Sequence, residues 1–354
     1  GLITAADIQQ ITQIAQRYGI NAGGLEGSAT STTEIEEKGI KIDWNISDSH
    51  RAAIRYNEME QTVPRFPGIA AGTVSLSSYW YDQPKTFESL VGEVFSDWSD
   101  VLSTEFKVST RDYDAVRVPA TNLPSIRVNV GNNGVFLGTE QNTHVNRIAT
   151  EQFSAFGAAN LFLGDHTLKF GFDYEENDVF NFFGRNLNGV YTFNSIADFS
   201  AGRPATYLLR TPRPNGGTLA DIPATYTSEN LGLFVQDTWA VNYNLTLNFG
   251  IRADRPDFSE QRLANARIQQ LYGLDNTNTV DFTLIQPRFG FNYTFDSDRQ
   301  TQLRGGLGLF AGAAPNVWIA GVYQNTGLNF VEYDLRGAAA PNFSAACAIT
   351  EQMR

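Results

Sequence analysis

Side chains able to do chemistry are few and scattered in this sequence. Its three histidines, His50, His144 and His166, stand far apart, and two of them fall in turn-like stretches. A single cysteine, Cys347, excludes an internal disulfide framework. There is no HExxH and no His/Cys spacing that would hold zinc. The stretch RGGLGLFAG (304–312) offers Gly-x-Gly, but on a strand pattern with no following βαβ unit, so its glycines read as places of close backbone approach, not as a dinucleotide cradle. Asp173, Glu175, Glu176 and Asp178 could offer oxygens to calcium, though without EF-hand spacing. No catalytic residue, resident metal or cofactor is expected, and the chain does not read as an enzyme.

Recognition has more to work with. SSYWYDQP (77–84) places Tyr79, Trp80 and Tyr81 in a long loop, where exposed rings could stack on a sugar or another flat ligand; packing of loops together is the plainer reading. NDVFNFFGRN (177–186) adds Phe180, Phe182, Phe183 and Arg185 near the end of a strand pattern. The Pro-rich stretch 203–217 carries Arg203, Arg210 and Arg213, which could attract an anion or could simply be solvated loop charge.

These residues are carried by segments of strict alternation. In NLTLNFGIRAD the apolar residues are Leu245, Leu247, Phe249, Ile251 and Ala253, each separated by a polar residue or glycine. Leu168, Phe170, Phe172 and Tyr174 repeat the pattern, as do Phe289, Phe291, Tyr293 and Phe295, and Ile40, Ile42, Trp44 and Ile46. Period two marks a strand with one dry and one wet face. Leu303, Leu307 and Leu309 form another such face, and weaker alternation runs through 85–96, 101–111, 147–161 and 226–240. Each segment is long enough for a tilted strand to cross hydrocarbon. Short Asp/Asn/Ser/Gly turns (47–50, 97–100, 164–166, 241–244, 296–299) alternate with long connections (62–84, 112–146, 184–225, 257–280 and from 312 onward). The expectation is ten antiparallel strands in five hairpins, an up-and-down transmembrane β-barrel with short helices in its long loops. Residues 1–39 read as a loop with a helix that starts at a Thr4–Asp7 capping box, 40–311 as the hairpins, and 312–354 as a further loop. A second helix is expected from Asp257 to Gly273.

Bulk properties agree. The net charge of -12 argues against nucleic acid as a partner. Mean hydropathy is -0.26, and no run approaches the ~18 apolar residues of a membrane-crossing helix, a limit that does not apply to barrel strands.

KIDWNISDSHRAAIRYN (41–57), FSDWSDVLSTEFKVSTRDYDAVRVP (95–119), HTLKFGFDYE (166–175), ENLGLFVQDTWAVNYNLTLNFGIRAD (229–254) and LRGGLGLF (303–310), in this order, resemble TonB-dependent outer-membrane receptors, in particular the Oar-like group. The resemblance runs from about Thr4 to Phe310. It implies a bacterial outer-membrane location, a plugged barrel of about 22 strands, and import of a scarce ligand driven through TonB. The sequence in hand shows no plug, no TonB-contacting box and no aromatic-ended final strand, so a longer parent chain is expected, and about ten strands should form an incomplete curved sheet with open edges. On this reading Leu168, Phe170, Phe172, Leu245, Leu247, Phe249, Ile251, Phe289 and Phe291 face lipid. Trp44, Trp98 and Trp239, each close to a short turn, form an interfacial girdle. Arg252, Arg288 and Arg304 face the lumen or the plug, where ordinary wetting balanced by Asp254 and Glu93 is favoured over a basic ligand grip. Ligand contacts fall to Tyr79, Trp80, Tyr81, Phe182, Phe183, Arg185 and Arg203. The implied partners are outer-membrane lipid, the plug of the same full-length chain, the TonB complex and an unidentified small-molecule, glycan or peptide ligand. A non-coupled porin or adhesion barrel would share every strand feature; a soluble secreted carbohydrate-binding β protein is the second alternative.

Overall fold

The computed structural model describes residues 2–28, 31–213, 216–260, 262–278, 282–312 and 314–344; Cys347 lies outside them. Helix α1 (Ala5–Arg17) begins at the expected capping box: the Thr4 hydroxyl accepts from the Asp7 amide at 3.2 Å, and the Asp7 carboxylate accepts from the Thr4 amide at 2.8 Å. The chain then builds hairpins. β1 (Glu34–Asn45) pairs with β2 (His50–Arg65), and the short β3 (Thr73–Ser75) lies in the next connection. β4 (Tyr81–Ser99) and β5 (Leu102–Val116) make the second hairpin, with a bulge at Trp98. The connection after β5 holds β6 (Val118–Pro119), β7 (Ser125–Val130) and β8 (Asn133–Gly138). β9 (Val145–Leu163) and β10 (His166–Gly184) form the third hairpin; β11 (Val190–Phe193), helix α2 (Ile196–Ser200) and β12 (Thr206–Pro212) come next. β13 (Ala224–Ala240) and β14 (Leu245–Phe258) make the fourth, β15 (Leu284–Phe295) and β16 (Thr301–Gly308) the fifth. Helix α3 (Ala266–Tyr272) sits between the last two hairpins, and α4 (Asn316–Gln324) and β17 (Phe330–Arg336) complete the described elements.

Ten strands pair in sequence order, β1-β2-β4-β5-β9-β10-β13-β14-β15-β16, every neighbour antiparallel. Among the described residues β1 and β16 pair on one side only, so the sheet is an open barrel wall. The five expected turns are the hairpin turns. Two boundaries differ from expectation. β1 starts at Glu34, ahead of the alternating Ile40 segment, because ladder pairing does not require an apolar residue at every second place. The helix expected from Asp257 is preceded by strand: β14 runs on to Phe258, and α3 starts only after the Asn265 cap, though it ends at Gly273 as expected, in the left-handed conformation at φ 67°.

The register puts the apolar positions on one face. Leu247 lies opposite Trp239 and Phe291, Phe249 opposite Phe289, and Phe170 opposite Ala159 and Val235. This face has no covering layer among the described residues: Phe170 is 45 % and Phe249 43 % exposed. The loops fold instead over the polar face. There α4 packs Ala320 and Tyr323 against Val179 and Tyr226, and the Tyr226 and Tyr323 rings stack with centroids 4.8 Å apart. The apolar face is therefore the outer one. Trp44, Trp98 and Trp239 mark its short-turn edge, the first two largely exposed. Its long-loop edge is a cross-strand row of carboxylates, Glu58 opposite Glu88, Glu88 opposite Asp112, Asp112 opposite Glu151 and Glu151 opposite Asp178. Between the two edges each strand spends about nine residues, or roughly 25 Å of height once tilted.

The strands are longer than that band needs, up to 19 residues. Above it the long connections build a second, six-stranded sheet in the order β17-β12-β11-β7-β8-β3. The β11–β7 and β3–β8 pairs, which join strands from different connections, are parallel, whereas β12–β17, which also joins two connections, is antiparallel. Ile11, Ile14 and Ala15 of α1, Leu76, Ile126, Val128, Val135, Leu137, Phe193 and Phe199 form its core. The expectation of loops carrying only short helices is corrected here: the loops are a folded cap with a hydrophobic core.

Like charges directly opposite on a sheet destabilise it. Glu88 faces Glu58 on one side and Asp112 on the other. Glu88→Gln is expected to raise the unfolding free energy of the full-length protein in detergent by ~0.2–1 kcal/mol, read as a higher urea midpoint; an unchanged or lower midpoint would show that the row is already neutralised.

Candidate functional site

The polar face has two zones. At mid-height it satisfies itself. Arg252 donates from Nη2 to Asp173 Oδ1 at 2.8 Å and from Nε to Asp254 Oδ2 at 2.7 Å. Asn230 donates to Asp254 Oδ1 at 3.0 Å, Gln286 also donates to Asp254, and Lys169 pairs with Glu105. Gly232 makes room for this network, since a Cβ there would lie 2.0 Å from Arg252 Nη2. Of the three arginines expected on the lumen side, Arg252 is thus neutralised, Arg288 lies over the Phe310 ring at 4.6 Å, and Arg304 is exposed opposite Asn292. All three stand on the polar face, but they form no basic grip.

At the mouth, where β5, β9 and β10 meet the cap, the arrangement differs. Arg117 succeeds β5 on the polar face; its amide donates to the Asn146 carbonyl at 2.9 Å, and its guanidinium lies over the Tyr81 ring at 5.3 Å. Asn146 stands opposite Phe183 in the ladder, whose last pair is Val145–Gly184. His144 and Arg185 each lie one position beyond that pair. Arg117 Nε, Arg185 Nε, His144 Nε2 and both side-chain polar atoms of Asn186 are buried with no hydrogen-bond partner among the described residues. His144 is 6 % and Asn186 0 % exposed.

His144 Nδ1 accepts from the Asn188 amide at 3.0 Å, so in the neutral ring the proton sits on Nε2, which is then an unpaired donor. Burial pulls the His144 pKa down to about 4, outweighing the Thr139 carbonyl, which favours the charged ring. Asn186 is held by backbone alone, its amide donating to the Gln141 carbonyl and its own carbonyl accepting from the Arg210 amide, at a positive φ of 62°. Arg210, on β12, pairs with Glu332 at 2.9 Å and lies 3.7 Å over the Phe330 ring; burial lowers its pKa, Glu332 opposes that, and the charge of Arg185 adds to the lowering. The acid nearest in sequence, Glu140, is occupied by Asn142 and Thr143. The mouth therefore holds buried donors and two guanidinium groups, those of Arg117 and Arg185, with no carboxylate partner among the described residues.

The structure divides the residues proposed from sequence. Tyr81 lies beneath the Arg117 guanidinium, and Phe183 and Arg185 stand at the mouth end of β10. Phe182 falls on the opposite face of β10, opposite Arg147. Tyr79 is not an exposed ring: it is buried against Phe136, centroids 5.1 Å apart, and burial pushes its pKa up to about 12. Trp80 is half-buried, donating to Ser75 Oγ at 2.9 Å and packed edge-on to Phe66. Arg203 is exposed on the cap, 3.7 Å from Asp198. Asp173 and Glu175 stand on one face of β10, Glu176 and Asp178 on the other, so these four do not converge on a calcium ion. The sequence does not mark Arg117, His144 or Asn186 as ligand contacts; their only signal is proximity across a register that the sequence does not state.

A family profile described as "Outer membrane beta barrel domain" matches residues 5–345. Among solved structures, the ferric enterobactin receptor PfeA from Pseudomonas aeruginosa shares 16 % identity over 93 % of this chain and 42 % of its own, at a TM-score of 0.53. The copper transporter OprC shares 18 % identity over 78 % of this chain and 36 % of its own, at 0.48. The outer membrane transporter YddB from Escherichia coli shares 13 % over 73 % and 29 %, at 0.47. This chain thus spans less than half the length of each. No curated protein matches it in sequence.

The His144 shift has a signed consequence. An unfolded histidine takes up its proton near pH 6.5, the buried one only near pH 4. Between those values the unfolded state binds more protons, so stability falls as pH falls through the window, by of order 3 kcal/mol once below it. Amide protection factors in β7 and β8 of the full-length protein, with exchange rates corrected for their intrinsic pH dependence, should fall between pH 7 and 4.5, and His144→Asn, which keeps an acceptor for the Asn188 amide, should flatten that slope. Equal slopes in both proteins would remove His144 as the cause.

Proposed function

From the premise that this chain belongs to the outer membrane β-barrel domain family, we propose that it is part of a TonB-dependent receptor of the Oar-like group, which captures a ligand carrying an anionic group at its mouth and imports it. Membership puts the chain in the bacterial outer membrane. The uncompensated donors of Arg117, Arg185 and His144 beneath the cap are the observation that carries the ligand reading. Buried cations and N–H groups are costly without a partner, and a carboxylate or phosphate would supply both charge and acceptors. Arg185 Nε lacks a partner, and the Tyr81 ring lies under the Arg117 guanidinium. The self-neutralised wall below supports a lumen filled by a plug from the same full-length chain, as the resemblance implies. In that state the barrel is closed until ligand-dependent traction from TonB moves the plug. The short turns then lie in the periplasm and the cap outside the cell.

The rival is an open porin or adhesion barrel of the same wall. Liposomes carrying the full-length protein should not swell in sugar solutions, as a plugged receptor requires; swelling at porin rates would favour the rival. Calorimetry of the same protein with citrate should show binding that Arg117→Gln and Arg185→Gln each weaken about tenfold, the loss expected for one charge-assisted contact. Undiminished citrate binding in both variants would sink the anion site.

A further inference from the structure

Charge is not spread evenly over the polar face. On β2, β4 and β5 the ladder aligns polar-face positions 51–63, 83–95 and 105–117 level by level, each level two residues, or ~6.7 Å, below the last. Descending from the mouth, Arg117, Lys85, Arg111, Arg55, Lys107 and Arg51 each take one level; only the level of Phe87 and Tyr113 lacks a cation. The same stretch holds two acids, Glu93 and Glu105, and Glu105 is taken by Lys169. None of these six cations makes an ion pair among the described residues. Arg51 lies 4.7 Å over the Phe95 ring and Arg111 5.8 Å over the Phe87 ring, contacts that hold both along the wall. Arg51, Arg55, Lys107 and Arg111 are exposed, so their charge is presented to whatever fills the lumen.

Strand β9, next to β5, is the contrast. None of its polar-face positions from Asn146 to Phe162 is charged, and the same holds for β13 from Ala224 to Ala240. On β10 and β14 Lys169, Asp173, Arg252 and Asp254 are paired, and Glu175 is left exposed. The chain as a whole carries a net charge of -12, so the basic sector is a local feature of three strands. Cations on neighbouring strands repel one another. Salt in a water-filled lumen would only screen that repulsion, whereas a surface that meets the cations with carboxylates turns it into attraction.

We infer that the plug of the full-length chain docks on β2, β4 and β5 through an acidic face, and that passage opens on the other side, down the uncharged strip of β9. The inference rests on the plugged-receptor reading proposed above and adds to it the place and the charge of the contact. The mouth fits this division. Arg117 follows β5 and Arg185 follows β10, so the two guanidinium groups flank the upper end of β9. The docked plug covers the cations of β5. A ligand released from the mouth then meets Gln152, Ser154 and Phe156, with no cation on that strand to hold it, and Glu175 opposite Ser154 repels an anion.

Carbodiimide joins a lysine to a carboxylate only where the two touch. Full-length protein treated in detergent should yield peptides that join Lys85 and Lys107 to carboxylates of the plug, beside a Lys169–Glu105 link that serves as internal standard. Links from Lys85 and Lys107 confined to wall carboxylates such as Glu93, with the standard formed and the liposomes still closed, would overturn the docking alone. Swelling of those liposomes would remove the plugged reading, and this inference with it. Passage has its own test. Gln152 on β9 and Ser89 on β4 stand at one height, each opposite Arg111. In cells carrying the protein with Cys347→Ser, a sulfonated thiol reagent added from outside should label Gln152→Cys about fivefold faster with TonB present than without it, while Ser89→Cys keeps one slow rate. Acceleration at Ser89→Cys, or at neither position, would overturn the passage. Cross-linking reads the wild type, so the docking is decided even if a cysteine variant fails to fold.

Discussion

The structure depends on one constraint: a backbone that crosses hydrocarbon must satisfy every amide within itself. A sheet meets it only through continuous ladders between long neighbouring strands. Ten strands paired in sequence order meet it across the described wall. The same requirement fixes the side chains. Period-two geometry sends one half of each strand to lipid and the other to the interior, so the alternation around Leu247 and Phe249 and the polar run of Asn248, Gly250 and Arg252 have a single cause. The open edges at β1 and β16 are the places where that cause still demands a partner.

Strand length carries the consequence outward. The hydrocarbon band uses about half of a 19-residue strand. The part that projects above it is no longer restrained by lipid, and it holds the ends of separate connections near one another. Strands from four connections can then pair at small entropic cost, which is how parallel neighbours such as β7 and β11 arise in a protein whose wall is wholly antiparallel. Helix α1 closes the core of that cap, and α4 closes the gap above β13 by stacking Tyr323 on Tyr226.

Much of the wall was legible in the sequence, and for a physical reason. Alternation and turn chemistry are local signals, and an up-and-down sheet pairs neighbours in sequence, so Leu245 to Ala253 and the turns at 241–244 and 296–299 specify their own places. The capping box of Thr4 and Asp7 was legible on the same ground. The cap was not. Its pairs join residues far apart in sequence, as Tyr191 with Ile126 or Leu209 with Tyr333, and its strands are too short to display a period. The false start of the helix at Asp257 shows the limit from the other side: an acidic pair three residues apart resembles a cap, but Asp257 was already committed to a ladder opposite Glu229. The candidate site was legible only in its aromatic and basic residue types at Tyr81, Phe183 and Arg185. Tyr79 and Trp80 share that composition and were claimed by packing, a distinction that only the cap's core decides.

The contrast between the two arginine environments on the polar face bears on how the proposed receptor would work. Arg252 has two carboxylates and a glycine cut away to receive it; its charge is spent inside the wall. Arg117 and Arg185 have neither, and Arg185 is close enough to Arg210 to lower its pKa. Both sets obey the same need for a counter-charge, so the difference lies in where that charge comes from. A wall that supplied free cations along its whole height would hold an anionic ligand at every step of its passage. A wall whose Arg252 and Lys169 charges are paired at mid-height, with unpartnered guanidinium nitrogens of Arg117 and Arg185 beneath the cap, places the stronger attraction at the entrance. Under the proposed function, that arrangement separates capture from import: affinity resides in the mouth, and passage through the barrel requires only that the plug be moved.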